Sequence, residues 1–508
     1  MILKLYKYSI ILFTGIIILS GCKKDLGNYD YNDINTLTAV INLPKDVNAI
    51  FGKVLSIKPE LKFSLDPGFD ESKYTFEWSY IGSNGTGGIK MFVLANTRNL
   101  EQVVSIVAGT YTAYYTVTDK ASGVAYKKEF RIKVTNEINE GWMLMCDVNG
   151  QARVDMLSLN SSGGFDVVND LLATTGSELK LAGKPVMIYN YATGLLIGPD
   201  KISFGIYLGT DQTTTKIEPN TFKWTPTMNL SYEMFGNTPA GFYADVIQQR
   251  SGGAAYMIGK ESAYFYERTQ NIYFSAPISY IAAEQKEFKV APFVAGDDLI
   301  VSNAHAIFYD KTNRRFVKHV GSSSTCTTLP EPADAQKKFS FSTGMDLLYM
   351  SWVPYNGGEV FSVLKDPNGT KRFLARFNSA SLVQSYYDEI TATDFANAEF
   401  YAVSPALGYL IYSVGGKVYE YDMSLKTTKL VVDLGNKKIS LIQFYDFKST
   451  TKYKDSNNLM VAFYDPALPE GTNGGINTYT VPPVMGDLVL AKSFSGFGKV
   501  KSLTYRER

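Results

Sequence analysis

Apolar and polar positions alternate with a period of two through much of the chain, in short runs separated by turn-forming residues. Tyr74-Thr75-Phe76-Glu77-Trp78, the stretch from Tyr111 to Val117, and Phe130-Arg131-Ile132-Lys133-Val134 alternate strictly. That period puts every second side chain on one face of a strand and predicts half-buried β-structure. Ser56 to Leu61 opens a further strand, and Asp66-Pro67-Gly68 predicts a turn, since Pro fixes one dihedral and Gly relieves another. Some six or seven such strands between residues 39 and 137 suit an immunoglobulin-like β-sandwich.

After a polar hinge from Asn136 to Gly141 the pattern changes to longer units, each with an apolar-aromatic strand followed by a polar turn. The strands are Val154 to Leu157, Phe204 to Tyr207, Ala263 to Glu267, Ala306 to Asp310, Phe373 to Asn378, Val418 to Asp422 and Ile476 to Tyr479. They recur about every fifty residues, which is blade spacing for a β-propeller, and predict about seven blades over residues 138–508. One blade cannot bury both of its faces alone, whereas a closed ring lets each cover the next. The segment Val500 to Tyr505 is expected to close that ring by pairing beside Trp142 to Met145. Helical signal is scarce, with Ser379 to Phe395 and Tyr280 to Lys286 the stretches expected to carry a turn or two. The expected fold class is therefore all-β, a sandwich followed by a propeller-like domain.

The N-terminus breaks this pattern. Ser9 to Leu19 is an apolar run preceded by Lys4 and Lys7 and closed by Leu19-Ser20-Gly21-Cys22. Charge, apolar core and small-residue exit follow the order of a secretory signal peptide. The run of about eleven residues is short of the roughly twenty that a spanning helix needs. Its ending resembles the bacterial lipobox, and the resemblance implies that residues 1–21 are a signal peptide, that Cys22 is lipidated, and that residues 22–38 form a polar tether. Two or more acyl chains would hold the chain stably at a bilayer. Within the tether, Asp25-Leu26-Gly27-Asn28-Tyr29-Asp30-Tyr31 followed by Ile34-Asn35 resembles the start of the PKD-like lipoproteins of Bacteroidetes. The pairing of Phe76-Glu77-Trp78 with Gly109-Thr110-Tyr111 and Tyr115 to Asp119 is similar to PKD domains, and the likeness implies that Trp78 lies in the sandwich core. That resemblance implies an outer-membrane location beside TonB-dependent nutrient importers of the SusC/SusD type, with the sandwich as a spacer. The resemblance implies a cell-surface orientation, and Lys23 and Lys24, standing where the acidic surface-export patch of such lipoproteins is usual, keep a periplasm-facing orientation as the alternative.

Composition narrows the classes. A formal net charge of +1, which becomes −1 when Lys4 and Lys7 leave with the leader, gives no steering toward nucleic acid. The 35 Tyr and 30 Phe favour strands before they favour any ligand. Cys146 and Cys326 fall in strand-like segments and read as buried free thiols, with a disulfide between them as the alternative. With two histidines and no Cys-x-x-Cys, no zinc site or other metal centre is expected, and no cofactor.

Catalytic residues are not assigned. His305 and His319 border strands and read as structural; Ser413-Val414-Gly415-Gly416-Lys417 lacks the full spacing of a phosphate loop and reads as a hairpin turn. Asp297-Asp298 and Asp465 read as turn carboxylates. The candidate ligand-binding residues are Trp224, Trp352 and Tyr355, large rings at Pro- or Gly-broken segments where stacking on a sugar or a peptide side chain is plausible chemistry. The expected function is non-catalytic binding or docking of a glycan or oligopeptide for the importer. The alternatives are a glycoside hydrolase or lyase using propeller-borne carboxylates and a purely structural lipoprotein that braces its partners.

Overall fold

The computed structural model describes residues 33–83, 88–160, 162–192, 204–236, 238–250, 254–267, 274, 276–296, 305–321, 323–449 and 451–508. Cys22, its leader, most of its tether and the Asp297-Asp298 pair lie outside the described residues. The chain divides into two compact units, one of residues 1–47, 56–101 and 111–132, the other of 48–55, 102–110 and 133–508.

The first unit is a β-sandwich. A five-stranded sheet runs in the order Asp46–Ile50, Ala125–Thr135, Gly109–Asp119, Tyr74–Ser83, Ile89–Ala95, accompanied by the two-stranded pairs Leu37–Ile41 with Glu60–Phe63 and Val54–Ile57 with Leu100–Val103. The alternating segments are all strands, and the Asp66 turn forms, with Phe69 N–H donating to the Asp66 carbonyl at 3.1 Å. Trp78 is fully buried, stacked on Tyr115 at 4.1 Å and edge-on to Phe130 at 5.8 Å, while its indole N–H donates to the Thr97 carbonyl. A large ring with a polar edge is stable inside only when that edge finds an acceptor.

The second unit is a ring of antiparallel sheets, seven among the described residues besides the short Tyr280–Ile281 and Lys286–Glu287 pair. The first sheet takes its innermost strand, Lys499–Arg506, from the far end of the chain and sets it beside Gly141–Val148, Gln151–Leu159 and Phe165–Val168. The expected closure is in register: Trp142 faces Tyr505, Met143 faces Thr504 and Leu144 faces Leu503. The second sheet is Pro185–Tyr191, Gly205–Thr210 and Thr214–Ile217; the third is Val246–Gln249, Ala254–Gly259 and Ser262–Glu267. The fourth is His305–Asp310, Arg315–Val320 and Thr327–Thr328, with Ala291 and Ala295 bonded along its inner edge to Tyr309 and Ile307. The fifth (Asp346–Val353, Glu359–Lys365, Arg372–Asn378, Gln384–Glu389), sixth (Phe400–Val403, Leu410–Val414, Lys417–Asp422, Thr427–Asp433) and seventh (Lys438–Phe444, Asn458–Tyr464, Gly474–Thr480, Val489–Phe497) have four strands each.

Period two now acts on both faces. Tyr256 packs toward the fourth sheet with Phe308 and Val317, while its neighbour Met257 packs toward the second with Met187 and Tyr207. Val360 faces the fourth sheet and Phe361 the sixth; Leu410 faces the fifth and Ile411 the seventh. Ile476 and Phe497 of the seventh join Leu144 and Leu157 of the first, which closes the circle. Strands buried on both faces read as continuous apolar runs rather than as alternation, which is the character shift seen in the sequence beyond residue 138. The recurring apolar-aromatic strands prove to occupy two different places. Those at 154, 263, 373, 418 and 476 are third from the axis, and those at 204 and 306 are second, so their spacing is uneven.

Of the two stretches expected to carry a helical turn, 280–286 turns between the strands Tyr280–Ile281 and Lys286–Glu287, with Glu284 N–H donating to the Ile281 carbonyl at 3.1 Å, whereas 379–395 holds the strand Gln384–Glu389 and reaches a 3-10 turn at its end, Phe395–Asn397. Aromatic pairs such as Tyr386-Tyr387 fit a pleated surface better than a helix. Among the described residues no helix is long and apolar enough to cross a membrane.

Candidate functional site

The innermost strands of the ring meet edge to edge, and polar side chains join them. Ser502 on the first sheet accepts the Ile188 N–H at 3.1 Å; Asn190 donates to Thr504 Oγ1 at 2.9 Å and to the Tyr505 carbonyl at 3.0 Å. Tyr445, just beyond the seventh sheet's inner strand, reaches the same Thr504 and Tyr505 at 3.1 and 3.3 Å. Gln249 N–H donates to the Tyr189 hydroxyl at 3.0 Å, joining the second and third sheets.

Between these strands lies a cavity of about 660 Å³, within the range that holds small-molecule ligands. Its wall carries the amides Asn190, Gln248, Gln249 and Gln443, the phenols Tyr189 and Tyr445, and apolar groups such as Ile188 and Leu441. At one mouth the Glu507 carboxylate accepts the N–H groups of Lys448 and Ser449 at 2.7 and 2.9 Å, and Lys448 stands 3.7 Å from Asp446. At the other end Asp245 precedes the inner strand of the third sheet; burial pushes its carboxyl above the usual range, with Lys260 pulling the other way. This set of groups can hydrogen-bond a polar ligand from several sides.

The sandwich has a groove of about 730 Å³ along Thr75, Glu77, Thr116, Thr118 and Arg98. Arg98 is already engaged there, 3.5 Å from Glu71 and 4.6 Å from the Phe69 ring, and the groove has no counterpart to the converging amides of the ring.

The three aromatic candidates stand apart from the cavity wall and from one another. Trp224 follows the last strand of the second sheet, half-buried, and its indole N–H donates to Thr215 Oγ1 at 2.8 Å. Trp352 ends the inner strand of the fifth sheet and packs into the core shared with the fourth, where a Cβ at Gly358 would come within 2.9 Å of the indole. Tyr355 packs into the core shared with the sixth, with the Arg376 guanidinium 5.1 Å from its ring centre. Arg376 in turn forms a buried pair with Glu359.

The remaining sequence candidates fall where their local chemistry puts them. His319 is fully buried between the Tyr256 hydroxyl at 2.7 Å and the Ser323 carbonyl at 2.6 Å, and burial lowers its pKa to about 4. His305 is buried with Nε2 3.1 Å from Ser379 Oγ. Gly415 takes a positive φ of 59° in a two-residue hairpin turn, and Asp465 caps a turn through Ala467 N–H. Cys146 and Cys326 are both free and buried. Sequence reasoning missed Asn190, Gln249 and Gln443. The available signal was the placing of amides at the ends of apolar inner strands, as in Val246-Ile247-Gln248-Gln249 and Ile442-Gln443.

Comparison with known proteins gives one family match and a set of distant structures. Among curated proteins nothing matches. A Bacteroides thetaiotaomicron protein described as quinoprotein alcohol dehydrogenase-like is 12% identical, covering 93% of this chain and 99% of its own, with a TM-score of 0.46. The extracellular domain of a one-component system from the same organism is 9% identical, covering 92% of this chain and 67% of its own, with a TM-score of 0.36. TolB from Acinetobacter baumannii is 8% identical, covering 79% and 80%, with a TM-score of 0.33. The model of the PKD-like family matches residues 22–185, so the sandwich and the opening strands of the ring are PKD-like in sequence.

Proposed function

We propose that this chain is a lipid-anchored accessory protein of the outer membrane that captures a nutrient without transforming it and presents it to a TonB-dependent importer of the SusC/SusD type. Lipid on Cys22 is the anchor, the sandwich is the spacer, and the ring is the binding head. The observation that supports capture is the inner-strand cavity. Hydrogen-bonding side chains from several sheets converge on it, some joining the strands and others, the amides of Gln249 and Gln443, without a side-chain partner among the described residues, and half-buried polar groups of that kind favour a ligand that completes their bonds.

The test uses the full chain in its native membrane. Cys22→Ser is expected to move the protein from the membrane to the soluble fraction, and the wild-type protein is expected to co-purify with an importer and to release bound nutrient chemically unchanged. Retention of the serine variant in the membrane would reject the anchor. Turnover of a polysaccharide panel would replace capture with glycoside hydrolase or lyase chemistry.

A further inference from the structure

The hydrogen-bonding capacity left over in the inner-strand cavity has a definite chemical character. The side-chain amides of Gln249, on the third sheet, and Gln443, on the seventh, have no protein partner among the described residues, and both line the cavity. Asn190 spends its N–H groups on Thr504 and Tyr505, which leaves its carbonyl oxygen to accept. The Tyr189 hydroxyl accepts from Gln249 N–H and keeps its own hydrogen to donate. All four groups are uncharged, and each glutamine offers a donor and an acceptor in one plane.

The charged groups nearby are already matched or at the rim. Glu507 is held by two backbone N–H groups, Asp446 and Lys448 stand together at an exposed mouth, Asp245 is half-buried with its carboxyl raised by burial, and Lys501 is open to water. A ligand carrying fixed charge would meet charged groups at the ends of the cavity and only uncharged amides and phenols along the inner-strand wall between them. A ligand rich in hydroxyls suits the free amides, because neighbouring hydroxyls each donate and accept, so one carboxamide can bond two of them in opposite senses. The half-buried rings of Tyr189 and Tyr445 add flat apolar surface for the C–H face of a sugar ring. Tyr445 is itself steadied edge-on by Trp142 at 4.9 Å.

From these contacts we propose that the cavity binds an uncharged oligosaccharide, with Gln249 and Gln443 as the residues that fix it; this rests on the capture reading above. The test titrates the full chain in detergent by calorimetry with three panels: neutral trisaccharides (cellotriose, maltotriose, xylotriose, mannotriose), trigalacturonate, and uncapped tripeptides. At least one neutral trisaccharide is expected to bind. Gln249→Ala and Gln443→Ala are each expected to weaken it tenfold or more while circular dichroism and melting temperature stay those of the wild type. Lys371→Ala, at an exposed residue outside the cavity wall, serves as the distant comparison and is expected to leave affinity unchanged. Binding of tripeptide or trigalacturonate, with no neutral sugar bound, would overturn the ligand class and leave capture standing. Sugar binding that ignores both glutamine variants would overturn the site. An absence of binding in all three panels would overturn both the inference and the capture reading.

Discussion

Two fully interior glutamates show how differently the second and sixth sheets manage polar groups. Beside the second sheet, Glu233 meets Lys216 Nζ at 2.6 Å and accepts from the Tyr207 hydroxyl at 2.6 Å. That sheet has three strands, and the chain after it fills the fourth position irregularly: Asn229 bridges to Thr215 and donates to Thr213, and Trp224 donates to Thr215. On the sixth sheet the four-stranded ladder is complete, and Glu420 sits within it with neither carboxylate oxygen bonded. Lys429, directly across the strand pair, is 3.1 Å from Asp487 instead. Burial, and after it the nearby Asp422, raises the Glu420 pKa to about 7. The irregular sheet thus matches its buried charge, and the regular one keeps its carboxyl protonated at mildly acid pH.

The largest break in this contrast is Glu233→Ala, which leaves Lys216 buried without its carboxylate. Removing one partner of a buried pair costs about 3–5 kcal/mol, and urea denaturation is expected to show a loss of that order. Next is Glu420→Gln. The folded state holds a proton that the unfolded chain releases above its ordinary value of 4.5, so the wild type loses stability as pH rises from about 4.5 to about 7. The glutamine variant is therefore expected to equal the wild type below pH 4.5 and to exceed it above pH 7 by on the order of 1–3 kcal/mol. Parallel pH curves for the two proteins would show that Glu420 titrates normally. The smallest effect is expected from Lys371→Ala, which removes an exposed pair with Glu389 and should change stability by under about 1 kcal/mol.

Much of the fold was legible because burial leaves a period. Trp78 stood out in a strictly alternating strand, and the partnership of Val500 to Tyr505 with Trp142 to Met145 followed from the need of a ring to hide its last edge. The cavity was not legible for a physical reason: Asn190, Gln249 and Gln443 lie on three different sheets, and only the curvature of the ring brings them to one space. Trp352 and Tyr355 drew notice as large rings in a Pro- and Gly-broken segment, yet consecutive turns of that segment send one ring into each of two neighbouring cores. Residue type at a loop does not reveal which side of a radial sheet it will face.

The strand from Lys499 to Arg506 also sets the order in which the head can mature. Tyr505 bonds Glu140, 365 positions earlier, and so long a loop is slow to close. Until the final strand arrives, Gly141–Val148 presents an open edge that can recruit other chains. Completion of the ring is consequently a late event after synthesis, and a product cut short before residue 499 should aggregate rather than persist as a smaller working head.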